Sequence, residues 1–195
     1  MYTDIFLEDD FILSEYLLSN INNETIFNQL LLNGADINAQ NDIGWCILFE
    51  VISLGLNHKI EEYLKSNLDI NIRDKKGRNA LFWAMYFNNL DAIKILLTLD
   101  IDLYVSRKEK LHILHYTVYK KNKDLLEILF NQKNDYISKA LIYAVLYDNI
   151  DLVDYLLKKG ASKIYEDSLG NSAESLSQEL KIQRIIKKLK GYENV

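Results

Sequence analysis

Apolar residues return along this chain at a fixed distance far longer than any helical or strand period. Leu48, Leu81 and Leu114 stand 33 residues apart, inside the stretches 41–52, 74–85 and 107–118. A second set follows in the same register: Ile60, Ile93 and Leu126, then the pairs Tyr63-Leu64, Leu96-Leu97 and Leu129-Phe130, again 33 residues apart. Turn segments close the units at 33–38, 67–72 and 99–104. With no proline in 195 residues, the pattern predicts helices joined by short turns rather than a strand-rich sandwich. A repeat of this length is one supersecondary unit that buries its apolar face against its neighbours.

The fourth interval is shorter, because Leu114 and Leu141 are only 27 residues apart. Helices cannot lose six residues without losing packing. The expectation is therefore a missing hairpin near 131–138, leaving a notch. Counting outward gives six helix pairs in one domain spanning 1–195. An N-terminal cap over 1–37, with helices near 8–19 and 24–33, precedes units at 38–70, 71–103 and 104–135. A shortened unit at 136–163 and a C-terminal cap at 164–195 complete the row, as a stacked array needs atypical ends.

The stretch NGADINAQNDIGW (33–45) and the 33-residue register resemble the ankyrin repeat. In that family a turn or hairpin leads into an inner helix opening on Thr-Pro-Leu-His, followed by an outer helix and Gly-Ala-Asp. The resemblance covers essentially the whole chain. It implies an all-α solenoid of stacked helix-turn-helix units with short β-hairpin or turn connections.

The departures from the family pattern are specific. The left-handed position after the outer helix holds Gly34, Asn67, Asp100 and Gly160, and Asn and Asp tolerate that conformation best after glycine. The family's proline is replaced by Ile47, Ala80, Ile113, Ala140 and Ala173, and the small inner-helix position holds Val51, Ala84, Thr117 and Ala144. The element His112-Ile113-Leu114-His115 takes the Thr-Pro-Leu-His place. By resemblance, His112 opens a helix and His115 supports loop and helix backbone. In the last unit Glu174 and Ser175 stand where Leu and His would, while Ile182, Ile185, Ile186 and Leu189 preserve an apolar outer helix.

Charge changes the picture, because it is unevenly placed. Residues 1–58 contain no Lys or Arg and nine acids, namely Asp4, Glu8, Asp9, Asp10, Glu15, Glu24, Asp36, Asp42 and Glu50. All 23 basic residues follow, so a formal charge of −5 hides a dipolar chain. Cys46 is the only cysteine, which excludes an intrachain disulfide. The acidic start lacks a signal-peptide pattern, and no apolar run reaches the ~18 residues of a membrane span. The expectation is a cytoplasmic, bacterial protein, monomeric by itself.

Chemistry-bearing constellations are few. His112 and His115 lack further ligands at a zinc spacing. Cys46, at the Thr position of its unit, is expected to be buried with no base beside it. No acid pair, Ser-His-Asp set or glycine-rich phosphate loop stands out. No catalysis, metal or cofactor is expected.

The resemblance instead implies a concave protein-binding face made of hairpin tips and the open side of the inner helices. Its tip positions include Asp42, Ile43 and Trp45, then Lys75, Lys76 and Arg78, then Lys108, Glu109 and Leu111. The helix positions include Ser53 and Leu54, Tyr86 and Phe87, Tyr119 and Lys120, and Leu146 and Tyr147. Trp45, Tyr86, Phe87, Tyr119 and Tyr147 form an aromatic run, of the residue types that dominate interface hot spots. The reading is a non-catalytic protein-interaction module, in its specific form an immunity protein or antitoxin neutralising a toxin that the acidic end would suit if basic. A host-directed effector or regulatory scaffold is the alternative. A third reading is nucleic-acid binding through Arg73, Lys75, Lys76, Arg78, Arg107, Lys108 and Lys110, which the acidic end opposes.

Overall fold

A computed structural model describes residues 10–133 and 135–192. Asp4, Glu8 and Asp9, the side chain of Asp10, the predicted helical start at residue 8, Asn134 within the predicted notch and residues 193–195 lie outside that description. The chain divides into two compact units, 1–111 and 112–195.

The first unit holds three helix pairs: α1 (Asp10–Ser19) with α2 (Glu24–Leu32), α3 (Ile47–Ser53) with α4 (His58–Leu64), and α5 (Ala80–Tyr86) with α6 (Leu90–Thr98). The short strand β1 (Tyr104–Ser106) pairs with β2 (Leu111–His112), where the division between units falls. The second unit holds α7 (Ile113–Tyr119) with α8 (Lys123–Phe130), α9 (Tyr136–Leu146) with α10 (Ile150–Lys158), and α11 (Ala173–Glu179) with α12 (Gln183–Lys190). Within each unit the first helices of successive pairs pack on one another, α1 on α3 on α5 and α7 on α9 on α11.

The register residues make the core. Leu48, Leu81, Leu114 and Leu141 are fully buried, and so are Val51, Ala84, Thr117 and Ala144, where neighbouring inner helices approach. Ile60, Ile93 and Leu126 on the outer helices are equally buried, as are Tyr63, Leu96, Leu129, Leu156 and Leu189. Helices of seven to nine residues are too short to hold themselves in water. Packing of these apolar stripes, at about 25 cal/mol per Å² removed from water, is what sustains them.

Asparagine and aspartate set the turns between helices. Asn23, Asn89, Asn122 and Asn149 each cap an outer helix, their side-chain oxygens accepting from the N–H groups of Ile26, Ala92, Leu125 and Leu152 at 3.0–3.2 Å. Asp36, Asp69 and Asp102 each accept from the N–H two residues on, at 2.8–2.9 Å. Asn38 and Asn71 then tie successive repeats together. Asn38 donates to Asn67 O and accepts from Asp69 N–H, and Asn71 donates to Asp100 O and accepts from Asp102 N–H.

One expectation is corrected. Asn67 adopts the left-handed backbone, at φ 61, but Asp100 does not. α6 ends instead on an extended Leu99, with Ile101 N–H donating to Leu99 O at 2.8 Å. The left-handed residues recur elsewhere, in the turn between inner and outer helices, at Gly55, Asn88, Lys121, Asp148 and Lys181. Where six residues are lost, the connection between α8 and α9 carries no strand among the described residues. α9 is 11 residues long against seven for α7. Its added turn brings Tyr136, only 3% exposed, edge-on to the His112 ring at 5.9 Å, and Ser138 Oγ accepts from Ser162 N–H.

Candidate protein-binding surface

The hairpin tips are built around short polar side chains. Asn41 Oδ1 accepts from Ile43 and Trp45 N–H at 3.1 and 2.9 Å. One repeat later Asp74 Oδ1 accepts from Lys76 and Arg78 N–H, both at 2.9 Å, and in the second unit Asp167 does the same for Leu169 and Asn171. Asp74 is nearly buried, and its second oxygen accepts from Arg78 Nε at 2.6 Å. That ion pair aims the Arg78 guanidinium at the Trp83 ring, 4.3 Å from its centroid, and at Phe82 at 5.0 Å.

Trp83 is the hub of a ring cluster in the first unit. Trp45 meets it edge-on at 4.9 Å, Phe82 and Tyr86 at 5.5 Å, and Phe87 lies against it at 6.0 Å. Phe49, buried, closes the cluster from below. Edge-to-face pairs of this kind contribute about 0.5–1.5 kcal/mol each beyond burial. Trp45 is half-buried and donates Nε1–H to Glu50 Oε2 at 2.7 Å. Tyr86 and Phe87, at the open end of α5, remain 63% and 40% exposed.

A separate cluster forms in the second unit. His115 stacks on Tyr143 at 4.6 Å and hydrogen-bonds the Tyr147 hydroxyl through Nε2. Tyr119 lies 5.4 Å from Tyr147, and Lys120 Nζ sits over the Tyr116 and Tyr119 rings. Burial holds the His115 pKa below its ordinary value. The expected support of backbone by His115 is therefore corrected, since its polar partner among the described residues is the Tyr147 side chain. His112 does open α7, its Nδ1 accepting from Leu114 N–H at 3.1 Å.

Each expected surface residue has a definite place. Ile43, Leu54, Lys76, Tyr86, Phe87, Lys108, Tyr119, Lys120, Leu146 and Tyr147 are exposed, whereas Trp45, Arg78 and Leu111 are half-buried. Trp45, Tyr86 and Phe87 share one cluster and Tyr119 and Tyr147 another. Trp83, Tyr143 and His115 complete these clusters without having been singled out as surface residues. For Trp83 and Tyr143 the signal is a register column, since Trp83, Tyr116 and Tyr143 follow the register leucine by two residues and Glu50 holds the same place.

Cys46 is fully buried, and burial pushes its thiol pKa up to about 12, which leaves it protonated and unreactive at neutral pH. Among the described residues, no group of three or more His, Cys, Asp or Glu could hold a metal ion, and no helix is long and apolar enough to cross a membrane.

Comparison with known proteins agrees with this geometry. The sequence matches the family of ankyrin repeats, in three copies, over residues 16–107 and 99–167. One chain of a solved structure, the predatory endopeptidase from Bdellovibrio bacteriovorus in complex with an immunity protein, superposes with a TM-score of 0.61 at 21% identity. That likeness covers 93% of this chain and 97% of the other. No match is found among curated proteins. With its 33-residue register, paired short helices and Asx-built tips, the chain belongs to the ankyrin-repeat family.

Proposed function

We propose that this protein is a non-catalytic, protein-binding module of the immunity type, which neutralises a partner protein by covering it. The observation that carries the reading is the exposure of large aromatic side chains at the ends of inner helices whose core positions are already filled. Tyr86 is 63% and Tyr119 57% exposed, while Leu81, Ala84, Leu114 and Thr117 beneath them are fully buried. Exposed tyrosines on rigid helices offer large contact area at small entropic cost. The superposition on a chain from the complex of an endopeptidase with an immunity protein supports the immunity form of this reading.

The test combines capture and growth. The tagged chain and a Tyr86→Glu/Tyr119→Glu variant are used to capture partners from the native cytoplasm, and each captured protein is expressed alone and with the chain. Binding of one protein to the parent but not the variant, with growth inhibition relieved by co-expression, is the expected result. A partner lost on neither substitution, or one whose expression is harmless, overturns the reading.

A further inference from the structure

We infer that the hairpin tips of the first unit dock an acidic segment of the partner, one carrying two or more carboxylates beside an aromatic or aliphatic anchor. The inference rests on the binding reading above and names the chemistry of what is bound.

Arginine and lysine play different parts at these tips. Every arginine is committed to the fold. Arg73 and Arg107 share Asp102, at 2.8 and 2.9 Å, and Arg78 pairs with the nearly buried Asp74. The lysines are not so engaged. Lys75, Lys76, Lys108 and Lys110 are all exposed, and none has a carboxylate within ion-pair distance among the described residues. Lys108 Nζ donates only to a backbone oxygen, that of Lys75, at 2.6 Å, which locks the two tips side by side. With three arginines sharing two carboxylates and these lysines beside them, the tips carry a surplus of positive charge that no carboxylate among the described residues matches.

That surplus is joined to apolar surface. Asp74 holds the Lys76 N–H with one oxygen and Arg78 with the other, and Arg78 lies on the Trp83 ring. The basic tip is thereby bolted to the cluster from which Tyr86 and Phe87 protrude. A purely acidic ligand would leave those rings in water, and a purely apolar one would leave the lysines unmatched. An acidic segment with one large apolar side chain satisfies both.

A nucleic acid would also meet positive charge and rings, but the geometry disfavours it. Base stacking needs an open ring face. Here Arg78 covers one face of Trp83, Phe87 lies against the ring, and Trp45, Phe82 and Tyr86 abut it at steep angles.

The test uses the full chain and an array of synthetic peptides of about 15 residues, each with Asp or Glu pairs flanking Trp, Phe or Leu. Lysine-for-carboxylate counterparts and a dT15 oligonucleotide are the controls. Fluorescence anisotropy is expected to show acidic-apolar peptides binding in preference to their counterparts. Affinity falls at least about tenfold in a Lys75→Glu/Lys76→Glu/Lys108→Glu variant, and again between about 0.05 and 0.3 M salt, where exposed charges are screened. Tyr86→Ala weakens the same peptides, and unchanged melting curves show that both variants fold. No preference for acidic peptides, indifference to charge reversal, or tighter binding of dT15 overturns the inference. A captured toxic partner that the charge-reversed variant still holds overturns this inference alone. Selective acidic-peptide binding without any growth protection overturns the immunity reading alone.

Discussion

Gly44 gives the sharpest test of how the tips are assembled. Its backbone is left-handed, at φ +80, and a Cβ there would lie 2.6 Å from Lys75 N and 2.8 Å from Asp74 Cα. Gly55 is the internal control, with φ +71 and no atom within 4 Å of its Cβ position. Both substitutions to alanine carry the left-handed penalty of about 1–2 kcal/mol, offset by about 0.4–1 kcal/mol through a less flexible unfolded chain. Gly55→Ala should therefore cost about 1 kcal/mol. Gly44→Ala must in addition push apart two backbone segments, and the Asp74 turn holds its side rigid with three hydrogen bonds. Strain of that kind costs about 1–3 kcal/mol more, which gives a total near 3 kcal/mol. Urea unfolding followed by tryptophan fluorescence measures both, because the only two tryptophans, Trp45 and Trp83, lie in the first unit. Equal costs for the two variants, or a larger cost at Gly55, would refute the close approach of the tips.

Three further outcomes follow from burial and charge. Leu81→Ala should destabilise by about 2–5 kcal/mol and Leu81→Met by less than about 1.5 kcal/mol in the same urea assay, since Leu81 is fully buried; an unaltered midpoint for the alanine variant would disprove the register. Cys46 should react with a thiol reagent only along the unfolding transition, its thiol being buried with a pKa of about 12; rapid labelling of the native protein contradicts this. For His115 the folded pKa lies below the ordinary value, so the unfolded chain binds the extra proton and stability falls as pH drops below about 6.5. Melting followed by circular dichroism should show that fall to be smaller in His115→Phe, and parallel pH curves for the two proteins would exclude His115 as its source.

How much of this was legible in the sequence depends on how each feature is encoded. The core was legible because Leu48, Leu81 and Leu114 do the same job at the same interval, and burial tolerates few substitutes. The exposed helix ends were legible for a related reason: once the register fills the inward positions, Tyr86 and Tyr119 have nowhere to go but outward. Asp100 failed because residue type alone does not fix backbone shape, and an extended Leu99 closes α6 by another route. The left-handed Lys121 and Lys181 were hidden for the opposite reason, since lysine carries no preference for that conformation and only the position imposes it. The extra turn of α9 was invisible because a lost segment shows only as a shorter interval. What takes its place depends on Tyr136 finding the His112 ring, a contact between residues 24 positions apart.

The ring clusters and the lysine-rich tips belong to a third kind of feature, created by pairs of residues rather than by single columns. Trp83 matters because Arg78 covers it, and Arg78 is available because Asp74 turns it inward while capping its own tip. The same logic explains why counting basic residues misleads. Seven basic residues at 73–78 and 107–110 read as one patch in the sequence, yet Asp74 and Asp102 offset two of the three arginine charges, and most of the charge offered to a partner is that of the lysines. Nor is the acidic first segment simply free charge, since Asp36 holds a turn and Glu50 accepts from Trp45. Because the tips are fixed by side-chain hydrogen bonds and by backbone contact at Gly44, a ligand meeting them has little left to order. Affinity at such a surface is set by the match of carboxylates and apolar anchor to Lys75, Lys76, Lys108 and Tyr86, rather than by folding on contact.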